Sequence, residues 1–152
     1  MGNALQEAIE QLQRQATHRT QMVALRSDNG SYVCAESGGA SALVANRPAI
    51  GPWETFSFVW LADDRVAILA INGRYVSEMT IFPLAGSLIA AADAIGPQET
   101  FHLIWHPDDR ITLQAPSGSY VCAEGGGGGA FVANRPAIGE WEKFWMEVPP
   151  PL

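Results

Sequence analysis

Residues 46–56 read NRPAIGPWETF, and residues 134–144 repeat this stretch almost unchanged as NRPAIGEWEKF. A degenerate copy, AADAIGPQETF, occupies residues 91–101 between them. The copies recur at intervals of 45 and 43 residues. Three copies at a near-constant spacing indicate an internal repeat, and a repeat of this length determines the fold of the whole chain.

Around these stretches the chain divides into three repeats, about 22–62, 63–107 and 108–148. Each repeat contains four short β-type segments separated by turn residues such as Asn29-Gly30. A propeller also uses four strands per repeat, but three blades are fewer than propellers have. The sequence therefore predicts an all-β fold, a β-trefoil of three four-stranded repeats related by a pseudo-threefold axis.

The chain ends differ from the repeats. Residues 1–21 predict a short N-terminal α-helix, since Asn3 and Gln6 form a capping box. Its apolar stripe consists of Leu5, Ile9, Leu12 and Ala16. That stripe could pack on its own domain or form a short coiled-coil seam between protomers. Residues 149–152 form a Pro-rich tail.

Length and charge exclude several classes of function. The 152 residues suit one trefoil domain between the two ends, and the net charge of −7 argues against nucleic-acid binding. No apolar run approaches the roughly 20 residues that span a bilayer, so membrane insertion is not expected. The N-terminus lacks the apolar core of a signal peptide, which favours a cytoplasmic protein or one exported by a non-classical route. Cys34 and Cys122 occupy equivalent repeat positions and are expected to be free and buried.

Three motifs carry a resemblance to a known family. They are Gly-x-Tyr-Val-x-Ala-Glu, Val-Ala-Asn-Arg after a Gly-rich loop, and Gly-Pro-Trp-Glu-x-Phe. Over residues 22–148 the chain resembles the fascin-like β-trefoils, both the actin-bundling proteins and the bacterial carbohydrate-binding modules. The resemblance implies β-glucan binding at up to three equivalent sites, each using a Trp and a carboxylate.

The three repeats can be compared with one another to separate scaffold from site. Residues kept in all copies are candidates for the fold: Tyr32, Tyr75, Tyr120, Phe56, Phe101 and Phe144. The glutamates Glu54, Glu99 and Glu142 are also kept, even in the copy without a Trp. Two roles remain open for these carboxylates: accepting backbone N–H groups or contacting a ligand.

Other residues are lost together in the middle copy, as expected for a lost binding site. Trp53 and Trp141 become Gln98, while the Asn-Arg pairs become Ala91-Ala92. A Trp one residue before its Glu faces away from the core if the strand has begun, and a flat indole can stack on the C–H face of a pyranose. The alternative is a hydrophobic plug between copies. The predicted ligand-binding residues are Glu36, Asn46, Arg47, Trp53 and Glu54 in the first copy and Glu124, Asn134, Arg135, Trp141 and Glu142 in the third, with Gln98 and Glu99 as a degenerate site.

These patterns favour a non-catalytic carbohydrate-binding protein, a lectin or carbohydrate-binding module, whose partner is a glycan or polysaccharide. No catalytic residue, metal ligand or cofactor is predicted, and the Gly-rich runs 37–39 and 125–129 are expected to be flexible hairpin tips rather than phosphate loops. The alternative is a fascin-like interaction module that binds a filament or scaffold protein. The apolar loop 79–84 of the middle copy is expected to be covered by the N-terminal helix, either of the same chain or of a second protomer in a homo-oligomer.

Overall fold

Twelve short strands, four from each repeat, follow one another in the computed structural model, which describes residues 4–6 and 19–151. They are β1 (Thr20–Arg26), β2 (Tyr32–Cys34), β3 (Val44–Arg47), β4 (Phe56–Trp60), β5 (Arg65–Leu69), β6 (Tyr75–Glu78), β7 (Leu88–Ala92), β8 (Phe101–Trp105), β9 (Ile111–Gln114), β10 (Tyr120–Ala123), β11 (Phe131–Arg135) and β12 (Trp145–Glu147). Their lengths of three to seven residues reflect the turn residues that interrupt each apolar run.

Six of these strands form a barrel. Antiparallel pairing runs β1–β4–β5–β8–β9, and β12 pairs with β1. A bridge between Ile111 and Phe144, whose backbones exchange two hydrogen bonds of 2.8 Å, joins β9 to the start of β12 and closes the ring. Closure removes the open edges that would otherwise expose unpaired backbone groups.

The other six strands form three hairpins, β2–β3, β6–β7 and β10–β11. Single bridges connect the hairpins to one another, such as Ala42 with Ile89 and Ser87 with Val132. Each hairpin shifts register at the same place, directly after its Tyr, so the three repeats share even their irregularities. A barrel with three hairpins related by threefold pseudosymmetry is a β-trefoil, as the sequence predicts.

The core lies inside the barrel and beneath the hairpins. Phe56, Phe101 and Phe144, the phenylalanines kept in every copy, are at most 1% exposed. Side chains alternate along each strand, so the residues at every second position point inward. Burial of each large apolar side chain stabilises the fold by roughly 1.5–3 kcal/mol, which explains why these positions persist in the degenerate repeat.

The N-terminal boundary differs from the predicted one. β1 begins at Thr20, which pairs with Val59, and Gln21 pairs with Phe58. These two residues were expected to end the helix, but the open side of β4 provides backbone partners that extend the strand. Residues 4–6 are helical and Leu5 is 67% exposed; the other stripe positions lie outside the described residues.

Candidate functional site

Trp53 and Trp141 lie on short 3-10 turns just before β4 and β12. The turns are Pro52–Glu54 and Glu140–Glu142. Pro52 suits the first turn position, because its fixed φ is already helical and its missing N–H would have no partner there. The indoles are 43% and 42% exposed. Strand alternation, expected to expose them, is not the cause: the strand has not yet begun, and the turn itself presents each ring to solvent.

The glutamate that follows each Trp closes the turn. Glu54 is only 7% exposed, and its Oε1 accepts the backbone N–H of Gly51 at 2.7 Å. The same bond closes the other two turns, Glu99 with Gly96 at 2.8 Å and Glu142 with Gly139 at 2.5 Å. Of the two roles left open by the repeats, these contacts are those of a scaffold residue that caps its own turn.

The second oxygen of this glutamate has different partners in different copies. Glu54 Oε2 lies 3.8 Å from Arg47 Nε, and the equivalent pair of the third copy is separated by 3.9 Å. The middle copy has Ala92 at the position of this Arg, and there Glu99 Oε2 accepts a hydrogen bond of 2.5 Å from Ser77 Oγ. A carboxylate withdrawn from water needs compensating donors, and in the copy without this Arg a hydroxyl supplies one.

The two cysteines belong to the base of the same arrangement, which the sequence did not indicate. Cys34 and Cys122 are free and fully buried, as predicted, and their thiols lie beside the carboxylates of Glu54 and Glu142. Burial, followed by the bond to the neighbouring carboxylate, raises the pKa of each thiol to about 12. Each thiol therefore stays protonated at neutral pH and acts as a donor. One signal for this role was present in the sequence: the middle copy has Ser77 at the position of the two cysteines, and Ser is also a small hydrogen-bond donor.

A partly exposed ion pair adjoins Trp53. Glu36 Oε1 and Arg47 Nη2 are 2.5 Å apart, and each side chain is 31% exposed. Arg47 thus lies between a surface carboxylate and the buried one of Glu54. An ion pair this exposed adds little stability, but it fixes a guanidinium and a carboxylate at the surface. Asn46 is exposed beside them.

The third copy repeats this ion pair with one addition. Arg135 Nη2 and Glu124 Oε2 are 3.1 Å apart, and Asn134 Nδ2 donates to Glu124 Oε1 at 3.1 Å. Both predicted polar residues therefore bond the same carboxylate. The arrangement leaves an amide oxygen, a guanidinium edge and a carboxylate grouped on the surface of the repeat that carries Trp141.

The Gly-rich loops form the other wall of each site. Flexibility of these loops remains a prediction; in the structure each contains a 3-10 turn next to a Trp. A Cβ added at Gly126 would lie 3.0 Å from Trp141 Nε1, and one at Gly38 would lie 3.7 Å from Trp53 Nε1. Both glycines have positive φ, 78° and 77°, which other residues rarely adopt. The positive φ favours glycine at both positions, and at Gly126 a side chain would also crowd the indole edge.

The degenerate copy has a cleft instead of a stacking surface. A volume of about 440 Å³ opens beside exposed Gln98 and is lined by Met79, Ile81 and Leu84 together with Glu99. Ile81 is 78% exposed and Leu84 is 51% exposed. Without an indole and a guanidinium, this position lacks the ring surface and the ion pair of its two counterparts.

Within residues 4–6 and 19–151, no three His, Cys, Asp or Glu side chains are grouped so that they could hold a metal ion. No helix in the same part of the chain is long and apolar enough to cross a membrane.

Comparisons with known proteins agree with this architecture. A family profile described as "Domain of unknown function (DUF7910)" matches residues 18–121, more than half of the chain. The chain belongs to this DUF7910 family. The match contains the whole first site, including Trp53, and ends in β10 before Trp141 is reached.

Among solved structures, the crystal structure of a designed threefold-symmetric protein, ThreeFoil, superimposes with a TM-score of 0.70 at 16% sequence identity. The superposition covers 82% of this chain and 96% of that protein. At this identity the likeness shows the shared β-trefoil fold alone. No curated protein sequence matches the chain significantly.

Proposed function

We propose that the chain is a non-catalytic carbohydrate-binding protein with two sites, one at Trp53 and one at Trp141. One observation carries the proposal. In both complete copies a half-exposed indole lies on a hydrogen-bonded turn, and the same repeat holds a partly exposed Arg–Glu pair. The middle copy keeps the turn but has neither the indole nor the Arg–Glu pair. A β-trefoil is compatible with this function, and the likeness of its motifs to fascin-like carbohydrate-binding modules supports it.

The chemistry suits a neutral or weakly polar sugar ring. The exposed part of the indole offers apolar area to the C–H groups of a pyranose, and burial of that area contributes roughly 25 cal/mol per Å². The adjacent carboxylate and guanidinium can then bond hydroxyl groups in fixed directions. Because the turn and the Gly-rich loop already hold the indole, little ordering cost remains on binding.

Two sites on one scaffold favour a repeating ligand. A polysaccharide that engages both Trp53 and Trp141 would bind with avidity beyond either site alone. The ligand class we propose is therefore a glycan chain, such as a β-glucan, rather than a free monosaccharide.

The test is a titration of Trp53→Ala, Trp141→Ala and the double variant with β-glucan, galactan and chitin fragments, after a glycan array has found the best ligand. Each single variant should lose one of two sites, and the double variant should lose binding altogether. Gln98→Ala is the matched control, since it truncates the equivalent residue of the degenerate copy, and its affinity should be unchanged. Wild-type protein that binds no glycan, or a double variant that binds as well as wild type, would overturn the proposal.

A second function has an observation of its own. Phe82 is 88% exposed and forms, with Ile81 and Leu84, an apolar surface above the middle-copy cleft. Such a surface suits a protein partner, either a filament or scaffold protein or a second copy of the chain. Sedimentation of wild type and of Phe82→Ser distinguishes these two kinds of partner. A concentration-dependent wild-type dimer that the substitution abolishes supports self-association. Monomeric sedimentation of both proteins contradicts it.

A further inference from the structure

The pseudo-threefold axis creates three equivalent grooves on the outer wall of the barrel, where the last strand of one repeat meets the first strand of the next. Each groove has a row of three side chains in cross-strand register. The rows are Met22–Ser57–Leu69 in the first groove, Arg65–His102–Gln114 in the second, and Arg110–Trp145–Arg26 in the third. Directly opposed residues bring their Cβ atoms within about 4.5–5.5 Å, so each row acts as a unit.

The third groove is filled by the protein's own side chains. The Trp145 ring lies between two guanidinium groups, with Arg26 at 4.5 Å and Arg110 at 5.0 Å from its centroid. Arg110 is 8% exposed and has two carboxylate partners, Asp108 at 2.6 Å and Glu140 at 2.7 Å. The Trp145 ring and the Glu140 carboxylate therefore fill this groove and compensate the charge of Arg110.

The first groove has no charge to satisfy. Met22, Leu69 and Ile71 line a space of about 270 Å³. Its Met stands where the other two grooves have an Arg, so the fold accepts an uncharged residue at this position.

The second groove is open, with a volume of about 640 Å³. His102 occupies the position of Trp145, and Pro97 occupies the position of Glu140. Both groups that complete the third groove are thus missing, while the Arg is retained.

The charge of this Arg is weakly compensated. Among the described residues, the ion-pair partner of Arg65 is Asp63 at 3.8 Å, and its side chain is 53% exposed. At Arg110 the two carboxylates bond different guanidinium nitrogens, Asp108 at Nη2 and Glu140 at Nη1. In the same way, a ligand carboxylate could approach Arg65 beside Asp63. The groove has room for that carboxylate and for a ring above His102, with the Gln114 amide on the far side.

We propose that the second groove binds a carboxylate carried on a six-membered ring, such as a hexuronate residue of an acidic glycan. The ligand carboxylate takes the place that Glu140 has at Arg110, and its ring takes the place of the Trp145 indole. The groove shares no residue with the Trp53 and Trp141 sites, so the inference stands independently of the proposed function.

Two variants test the assignment without disturbing the fold. Arg65→Met copies the residue that the first groove carries at this position. The double variant Pro97→Glu/His102→Trp copies the third groove and fills the space from within. Both changes place side chains that the same scaffold already accommodates in a sister repeat.

The probes are D-glucuronate, D-glucose and benzoate, titrated into the full isotope-labelled chain while amide signals are followed by NMR. Glucuronate should shift the signals of Gly96, His102 and Gln114 saturably, and glucose should not. Both variants should weaken this binding at least tenfold, whereas Trp53→Ala/Trp141→Ala should leave it unchanged. Saturable binding of benzoate as well as glucuronate supports the assignment and shows that any ring carboxylate suffices. The proposal is overturned if neither glucuronate nor benzoate binds, or if both groove variants bind glucuronate as tightly as the wild type.

Discussion

Replacement of Glu54 by Gln separates the capping role of this residue from a ligand role. The carboxylate is 7% exposed, accepts the Gly51 N–H at 2.7 Å and lies beside the buried Cys34 thiol. A Gln keeps one acceptor for Gly51, but places an amide donor against the thiol and the guanidinium of Arg47. The Gly51 hydrogen bond loses its charged acceptor and a buried amide donor is left unpaired, so Glu54→Gln should lower the free energy of unfolding by about 2 kcal/mol.

Urea denaturation measures this directly. With a typical slope of about 2 kcal/mol/M, the unfolding midpoint should fall by about 1 M without a change in slope. The matched control is Glu36→Gln, because its ion pair is one-third exposed and should contribute much less. A change below about 0.5 kcal/mol in Glu54→Gln, by comparison with the magnitude expected for a lost charged hydrogen bond, would refute the capping argument. Loss of glycan binding at unchanged stability would assign Glu54 to the ligand instead.

Three further outcomes follow from the same geometry. Folded Cys34 and Cys122 keep their protons to about pH 12 and unfolded thiols lose theirs from about pH 9, so the unfolded state binds fewer protons in that window. The free energy of unfolding should therefore fall as pH rises from 9 to 12, and alanine at both positions should flatten this part of the curve measured by urea titration. Ser77→Ala should cost about 1–3 kcal/mol because it leaves a carboxylate oxygen unpaired, and Ser77→Cys should restore most of it in thermal unfolding. Gly126→Ala should destabilise the fold more than Gly118→Ala, since both have positive φ but only the first would crowd an indole; equal shifts in Tm would contradict this reading.

Much of the fold could be predicted because the three repeats amount to three readings of one local pattern. The strands, the Asn-Gly turns and the inward phenylalanines all depend on alternation and turn chemistry within about ten residues, which the sequence displays openly. The pairing of Thr20 with Val59 was harder to predict, because no local sequence pattern distinguishes Thr20 from the segment before it.

The candidate site was only partly predictable for the same reason. Repeat comparison singled out the Trp, Asn and Arg positions, since they are lost together in the middle copy. It could not decide the role of Glu54, because a residue kept in every copy is consistent with either role until its partners are seen. Composition also could not show that an indole lies against Gly126.

The sequence by itself determined the threefold repeat, the strand-rich class and the difference between complete and degenerate copies, all of which are written in short periodic patterns. Only the tertiary structure decided which side chains meet across repeat boundaries. Glu78 bonds the backbone and hydroxyl of Ser117, 39 residues away, and Arg65, His102 and Gln114 come together from two repeats. Such contacts depend on how the barrel closes, and closure is a property of all six barrel strands at once rather than of any one stretch.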